Sequence, residues 1–523
     1  MIISEMLARN ARMYPDEVAL VELAPSQGKR KEISWREFDD RVNRVANALR
    51  HRGIKKGDKV IHFMRNSINW LEAYFGIART GAWVVPLSYR FTAEDVKYCA
   101  DITEARAMIL DEEFIERVEK IQPPLATIED YIVVGEDLAQ GRDSFEEIIA
   151  RSSPEAVPVE LNEWDECGLY FTSGTTGSPK PILLTHKNME SAAITEWAHH
   201  HQSREDNFIL IPPLYHAGAK MHWFGSLIVG GRATLLREVS PQDILEAVHR
   251  ERGTIVWLLV PWAYDILAAL DSGKLKREDY DLSCWRLMHI GAQPVPPSLV
   301  RRWKMYFPDM QYDTNYGLSE STGPGCVHLG IENEHKVGAI GKAGFNWEAR
   351  IVDEEGEDVP QGSVGELIVR GDGVMKEYYK NPEKTAETIK NGWLYTGDMG
   401  RVDSDGFIYL VDRKKDVIIS GGENIYPVEV EEILHTHPKV HDVGVIGIPD
   451  DRLGEVAAAI IYPEPGEPLT EEEVLGFCKQ QMPRYKIPRI IIFDKVPRSP
   501  TGKIEKPRMR ERYANLRRTS PNR

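Results

Sequence analysis

Residues 167–180 read "CGLYFTSGTTGSPK", an apolar run that breaks into a loop of hydroxyl residues and glycines. Cys167 to Phe171 has the length and composition of a short buried strand. Thr172, Ser173, Gly174, Thr175, Thr176 and Gly177 follow, and can turn backbone N–H groups and hydroxyls toward an anion. Gly174 and Gly177 let the backbone approach a ligand closely. The spacing is not that of a Walker A loop, because the glycines lie three apart and Lys180 follows Gly177 by three. A tight structural turn is the competing reading of this loop alone, so the surrounding sequence has to decide.

Through the first 330 residues, helix and strand patterns alternate. "SWREFDDRVNRVANALRHRG" (34–53) opens with Ser34 and Glu37 at capping-box spacing, aligns Phe38, Val42, Val45 and Leu49, and stops at Gly53. Strands are expected at "DKVIHFM", "AWVVPL", "RAMIL", "NFILIPP", "RATLL", "TIVWLLV" and "CWRLMHI", with helices such as "WLEAYFGIARTG" and "PQDILEAVHRER" between them. This alternation predicts an α/β fold of mostly parallel sheets covered by helices, with ligands at the carboxyl ends of the strands. The 172–177 loop sits at such an end.

From about 338 to 411 the pattern becomes alternating strands with Gly and Asp turns, which predicts a small β barrel or hairpin layer with the acidic run Asp353–Asp358 at a solvated tip. A last unit reads as helix 428–436, strands 443–448 and 455–462, helix 470–482 and strand 490–494. Thr470 caps its second helix and Pro483 ends it. The charged "VDRKKD" between this unit and the rest suits a hinge. The expected division is a large N-terminal domain at 1–412, a hinge at 413–415 and a small mobile α+β domain at 416–523.

A chain of 523 residues exceeds what one core organises. Its formal charge of −16 argues against a nucleic-acid partner, although a local cleft can still hold a nucleotide. The five cysteines are scattered without a C-x-x-C pair, which reads as reduced thiols in a cytoplasmic protein. The opening "MIISEMLARNARMYPDE" lacks the apolar core of a leader, and no run approaches a membrane span.

Seven motifs then stand in order: "YFTSGTTGSPK" (170–180), "PPLYHAGA" (212–219), "IGAQPVP" (290–296), "NYGLSES" (315–321), "WLYTGD" (393–398), "VDRKKDVIISGGENIYPVEVE" (411–431) and "PRSPTGKIEK" (497–506). Over nearly its whole length the chain resembles the adenylate-forming superfamily of acyl-CoA synthetases, peptide-synthetase adenylation domains and firefly-type luciferases.

The resemblance implies a set of roles. The loop Thr172–Gly177, with Lys180, would hold the β- and γ-phosphates of ATP. Gly291, Ala292 and Gln293 would line the adenine, and Tyr316 would pack against it, with Thr314, Asn315 and Gly317 beside it. Ser319 would bond the α-phosphate, Glu320 and Thr172 would hold Mg²⁺, and Asp398, near Arg413, would accept from the ribose hydroxyls. Lys503 would bridge carboxylate and α-phosphate, His216 would border the acyl group, Lys415 would be the hinge, and Gly421 and Gly422 would meet coenzyme A. Thr314 and Asn315 depart from the commoner Gln-Gly, Ser319 stands where Thr is commoner, and Pro181 replaces a Gly.

The implied reaction joins a carboxylic acid, a medium- or long-chain fatty acid or an alicyclic or aromatic one, to CoA through an acyl-adenylate, releasing AMP and pyrophosphate. Transfer to a carrier protein's phosphopantetheine is the alternative, a luciferase-like oxygenase a more distant one, and an inactive nucleotide-binding regulator lies outside the enzyme class. Intact Lys503, Glu320 and Asp398 argue against the regulator. A homodimer is compatible with the sequence. The adjacent His199–His201, with His222 nearby, invite a metal reading, but three neighbours cannot share one helix face. The basic stretch Lys506, Arg508, Arg510, Arg512, Arg517 and Arg518 is expected to be a solvated terminus.

Overall fold

The computed structural model describes residues 1–135, 143–172, 179–498 and 504–514. Two large sheets carry the first two thirds of the chain. One has eight strands, ordered Glu377–Tyr378, Lys180–Thr185, Glu166–Thr172, Trp83–Pro86, Lys59–Phe63, Ala107–Asp111, Asp130–Val134 and Asp143–Ser144. It is parallel except where Lys180–Thr185 runs back along Glu166–Thr172 and Glu377–Tyr378 runs back along Lys180–Thr185. The other has nine strands, and its parallel centre runs Gln311–Leu318, Leu287–Gly291, Ile255–Leu259, Asn207–Leu210, Arg232–Leu236 and Val18–Ala24.

Helix Ile68–Arg79 shows why the sheets stack as they do. All of its residues except Asn69 are buried, which leaves it no polar face to show water. The largest core cluster joins its Trp70, Tyr74 and Phe75 to Val60 and Val84 of one sheet, Phe208 and Ile255 of the other, and Met189 and Trp223 of helices His186–His199 and Ala217–Leu227. Those helices therefore form a layer shared by both sheets. A second cluster covers the far face of the nine-stranded sheet with helices Pro241–Glu251, Val260–Asp271 and Pro297–Tyr306, and a third covers the far face of the eight-stranded sheet. Local signals act as expected: Ser34 and Glu37, and Thr92 and Asp95, form reciprocal capping boxes.

The expected small β layer is a five-stranded antiparallel sheet built from Trp347–Val352, Gly365–Gly371, Ile389–Lys390, Trp393–Val402 and Ile408–Arg413. The acidic run turns at its tip, where Asp353 accepts from the backbone N–H groups of Glu355 and Glu357. The last unit has its own core around Val430, Val443, Ala459 and Val474. Helices Pro427–His435 and Glu471–Gln481 and strands Val440–Asp450, Gly454–Pro463 and Ile490–Phe493 match the expected order.

The short hairpin Ile418–Ser420 and Glu423–Ile425 is an addition. So is helix Lys506–Arg512, which corrects the solvated terminus expected there for Lys506 and Arg510; Arg508 and Arg512 are exposed as expected, and Arg517 and Arg518 lie outside the described residues. Met509 is fully buried, Lys506 lies 3.1 Å from Glu431 and 3.9 Å from Asp412, and Arg510 lies 2.7 Å from Asp416. Lys506 and Arg510, which read as solvated in sequence, are balanced by acids from distant segments.

Between the helix layer and the nine-stranded sheet the core is polar. Glu196, His200, His222, His289, Asp313 and His328, from two helices, the cap that ends the first of them and three strands, have side chains almost or wholly shut off from solvent. His200 bridges two carboxylates, with Nδ1 2.9 Å from Glu196 and Nε2 2.9 Å from Asp313. His222 Nδ1 meets Glu196 at 3.0 Å, and His328 Nδ1 meets Asp313 at 3.2 Å. These are proton-sharing distances. Only the middle one of the three adjacent histidines enters the bridged network; His199 stacks on the outer side of His328 at 4.4 Å.

Burial alone would keep His200 neutral, but Glu196 and Asp313 outweigh it and push its pKa up to about 9. Burial would raise Glu196, and the His222 and His200 rings hold it well below the ordinary carboxylate range instead. His222 and His289 are pushed down by burial.

The folded chain thus keeps a proton on His200 that the unfolded chain releases near pH 6.5. Its contribution to stability is complete below that pH and disappears as pH rises through about 9. Thermal melts should show the melting temperature falling from pH 6.5 to 9.5, by the equivalent of at most about 3 kcal/mol. His200→Gln should be less stable at pH 6.5 and flatter across the range. Equal wild-type stability at both ends would contradict the bridging imidazolium.

Candidate functional site

Thr172 and Lys180 face each other as the last paired residues of an antiparallel hairpin. The loop residues Ser173, Gly174, Thr175, Thr176 and Gly177 lie outside the described residues, and the hairpin fixes where their segment leaves and re-enters the eight-stranded sheet. Beyond it, the strand Lys180–Thr185 pairs with Glu377–Tyr378, matching Ile182 to Tyr378, and Tyr379 N–H donates to the Pro181 carbonyl at 2.9 Å.

Tyr378 is the link to the next motif. Its hydroxyl donates to Glu320 Oε1 at 2.7 Å, and the Met375 N–H donates to the Glu320 carbonyl at 2.8 Å. Burial and then the Glu320 charge raise the Tyr378 hydroxyl's pKa, so it stays a donor. Glu320 and Ser319 sit on a short 3-10 turn, Ser319–Ser321, that continues the strand Gln311–Leu318. Gly317 is required just before it, because a Cβ there would lie 1.9 Å from the Gly323 carbonyl oxygen. The Glu320 carboxylate, held by a neutral donor beside the Thr172–Lys180 hairpin, suits a hard divalent cation in donor type.

The segment expected to line the adenine begins where the strand Leu287–Gly291 ends. Its register sets Ile290 opposite Thr314, so Gly291 and Asn315 emerge at the same edge, and a Cβ on Gly291 would stand 3.6 Å from Asn315 Oδ1. Ala292 has φ of 69°, a left-handed conformation costly for a residue with a Cβ. Gln293 Oε1 is shielded from water with no hydrogen-bond partner among the described residues. Thr314 is buried, and the Asn315 amide turns to helix His186–His199, donating to Glu196 Oε1 at 3.0 Å.

Tyr316 joins the nine-stranded sheet to the five-stranded one. Its ring is 7% exposed and packs with Val327, Trp347, Leu367 and Leu394. Its hydroxyl donates to Asp398 Oδ2 at 2.6 Å, and Arg413 Nε lies 3.3 Å from Asp398 Oδ1 across the pair Asp398↔Arg413. Burial first, and then the Asp398 charge, keep the phenol protonated far above its usual range. Glu366 steadies the turn, accepting from the Gly397 N–H at 3.0 Å and from Lys414 at 3.1 Å. The structure therefore brings Tyr316, Asp398 and Arg413 into one contact, and links Glu320 through Tyr378 to the strand Lys180–Thr185.

Other expected residues stand apart from that contact. His216 stands immediately before helix Ala217–Leu227 without capping it through its side chain, its ring 4.3 Å from that of Tyr215. Lys415 lies on the turn Lys414–Asp416, where burial lowers its pKa while Asp416 opposes the shift. Gly421 and Gly422, at φ 61° and 88°, form the exposed two-residue turn of the hairpin Ile418–Ile425, a shape that needs positive φ twice. Lys503 lies outside the described residues. Tyr378, Glu366 and Glu196 were not singled out in the sequence, since each acts through a partner far along the chain.

The AMP-binding enzyme family model matches residues 7–379, and the AMP-binding enzyme C-terminal domain model matches 429–503. A feruloyl-CoA synthase of Amycolatopsis is 34% identical over 512 residues, covering 97% of this chain and 98% of that protein. A long-chain-fatty-acid–CoA ligase of Mycobacterium tuberculosis is 31% identical over 514 residues, covering 97% and 98%. The crystal structure of the anthranilate CoA ligase AuaEII in complex with anthranoyl-AMP superposes with a TM-score of 0.89 at 27% identity, covering 99% and 98%. Matched along its length in sequence, fold and domain order, the chain belongs to the AMP-binding enzyme family, among the acyl-CoA synthetase-like members of the adenylate-forming superfamily.

Proposed function

We propose that this enzyme joins a carboxylic acid to coenzyme A in two steps, through an acyl-adenylate, with release of pyrophosphate and then AMP. The reading rests above all on the Tyr316–Asp398–Arg413 contact standing at the edge where Gly291 and Asn315 also emerge. Relatives named for CoA ligation of a phenolic acid and of long-chain fatty acids support it.

In this reading the Thr172–Gly177 loop and Lys180 hold the outer phosphates, Gly291–Gln293 and Tyr316 flank the base, and Ser319 bonds the α-phosphate. Asp398 keeps lone pairs for the ribose hydroxyls, because a carboxylate accepts at about four sites and Tyr316 and Arg413 occupy two of them. Glu320, with Thr172, holds a Mg²⁺ ion, which when bound neutralises phosphate charge. His216 borders the acyl group. Two anions must meet in the first step, so a cation at their contact lowers the barrier, and Lys503 supplies it. The segment 413–415 serves as hinge between domains 1–412 and 416–523, so that either Lys503 or the turn at Gly421 and Gly422 faces the acyl-adenylate. The proposed setting is the cytoplasm.

Wild-type protein should catalyse acid-dependent exchange of pyrophosphate into ATP, and should release AMP once free CoA is added. Lys503→Ala should lose the exchange by about 10²–10³-fold. It should still form thioester from a supplied acyl-adenylate. Equal loss of both half-reactions would overturn the two-pose reading, and acid-dependent AMP release that ignores free CoA would favour a carrier protein as acceptor.

Tyr378→Phe removes only the hydroxyl that steadies Glu320. The Mg²⁺ concentration giving half-maximal exchange should rise about 10–100-fold, with activity restored at high Mg²⁺. An unchanged Mg²⁺ dependence would separate Glu320 from the ion.

A further inference from the structure

In the polar core described above and in Trp257 beside it, six buried ring nitrogens make no hydrogen bond among the described residues. Two of them, His200 Nδ1 and His328 Nε2, still face the Glu196 carboxylate at 2.9 and 3.6 Å; the other four, Trp257 Nε1, His222 Nε2 and both Nδ1 and Nε2 of His289, do not. They belong to three rings in mutual contact. The centroids of His222 and Trp257 lie 4.2 Å apart, those of His222 and His289 4.4 Å, and those of Trp257 and His289 6.4 Å. All four atoms are shut off from solvent, where each unpaired polar group costs about 1–3 kcal/mol. Native cores pair nearly all such groups, so four together call for something that completes them.

The place is equally specific. Trp257 Nε1 would stand 3.8 Å from a Cβ on Gly291, next to Asn315 Oδ1 at 3.6 Å. The unpaired nitrogens thus start at the strand end assigned above to the nucleotide base, and run into the core away from it.

The hydrogen-bond chemistry narrows the ligand. Trp257 offers a donor only. His222 Nδ1 faces the Glu196 carboxylate, which fixes its N–H there and leaves Nε2 as an acceptor. A neutral His289 adds one donor and one acceptor. The complement of mixed donors and acceptors is a group that does both, such as a hydroxyl or a primary amide. A second carboxylate accepts only, and it would meet Glu196 and Asp313, two acids balanced by the single bridging His200. Two flanking acids make an added negative charge unfavourable.

We propose that the acid activated here carries a neutral hydroxyl or amide group at its end remote from the carboxylate, held by Trp257, His222 and His289. This rests on the reading of Gly291 and Asn315 as the edge of the adenylation site.

The test is pyrophosphate exchange with matched acids that differ only at the remote end: cyclohexanecarboxylate and 4-hydroxycyclohexanecarboxylate, cinnamate and 4-hydroxycinnamate, octanoate with 8-hydroxyoctanoate and octanedioate. In at least one pair the hydroxy acid should exceed its parent by about 10²-fold or more in kcat/KM, as expected when an analogue leaves buried polar groups unpaired. Octanedioate should be the poorest of its set. Trp257→Phe, which keeps a ring and loses the N–H, should shrink the hydroxy-to-parent ratio toward one; His289→Leu serves the same purpose if the first variant fails to fold. Parents that match or beat their hydroxy partners in every pair would overturn this inference while leaving the ligase reading intact. Exchange with no acid of the panel would remove the reading beneath it as well.

Discussion

Asp398 is the carboxylate on which the site's architecture turns. It is nearly buried, with Tyr316 donating to one oxygen and Arg413 approaching the other. Tyr316 belongs to the last parallel strand of the nine-stranded sheet, and Arg413 to a strand of the antiparallel sheet. One buried acid therefore pins a strand of one sheet to a strand of another 82 positions further along the chain. Removing either partner would leave a buried acceptor short of donors, which costs more than the bond itself contributes. The same pinning fixes the direction of the strand whose next residues carry Ser319 and Glu320, so the candidate metal ligand inherits its position from this joint.

Electrostatics are arranged locally against the global charge. The chain carries a formal −16, a poor attractant for ATP. Around the joint, however, Arg413, Lys414 and Lys415 follow one another at the end of a strand. Lys414 is taken by Glu366 at 3.1 Å. Burial lowers the pKa of Lys415, which weakens its hold on a proton where the two units meet. Asp412, one residue before the triplet, accepts from the Val428 N–H at 2.9 Å and stands near Lys506. The last strand before the proposed hinge is thus already tied to the small domain by one carboxylate and to the large domain by its neighbours. Any rotation of the small domain must exchange such contacts for others of similar strength.

Local features were legible in the sequence and distant ones were not. Caps such as Ser34 with Glu37 and Thr470 with Glu473 lie three residues apart, and the parallel core strands announce themselves by apolar runs. The order of motifs was enough to place the fold and the reaction class. Tyr378 reaches Glu320 across 58 positions and Asn315 reaches Glu196 across 119, and no periodicity encodes a side-chain meeting of that kind. The histidine core shows the limit most clearly. Adjacency of His199, His200 and His201 gave a sound reason to doubt a shared site, yet three strands and a second helix bring His289, His328, Asp313 and His222 to the one ring that points inward. The basic terminus misled for the complementary reason, since its counter-charges Glu431, Asp412 and Asp416 come from segments that sequence order keeps far away.

If Asp398 is both the pin between the sheets and the acceptor for the nucleotide's sugar, the ribose hydroxyls must register there. Pyrophosphate exchange measured with ATP and with 2′,3′-dideoxy-ATP tests that most directly. A fall in kcat/KM of about 10²-fold for the dideoxy nucleotide, leaving a buried carboxylate with lone pairs unmet, is the predicted result. Equal rates with the two nucleotides would mean that Asp398 only joins the sheets and that ATP binds elsewhere.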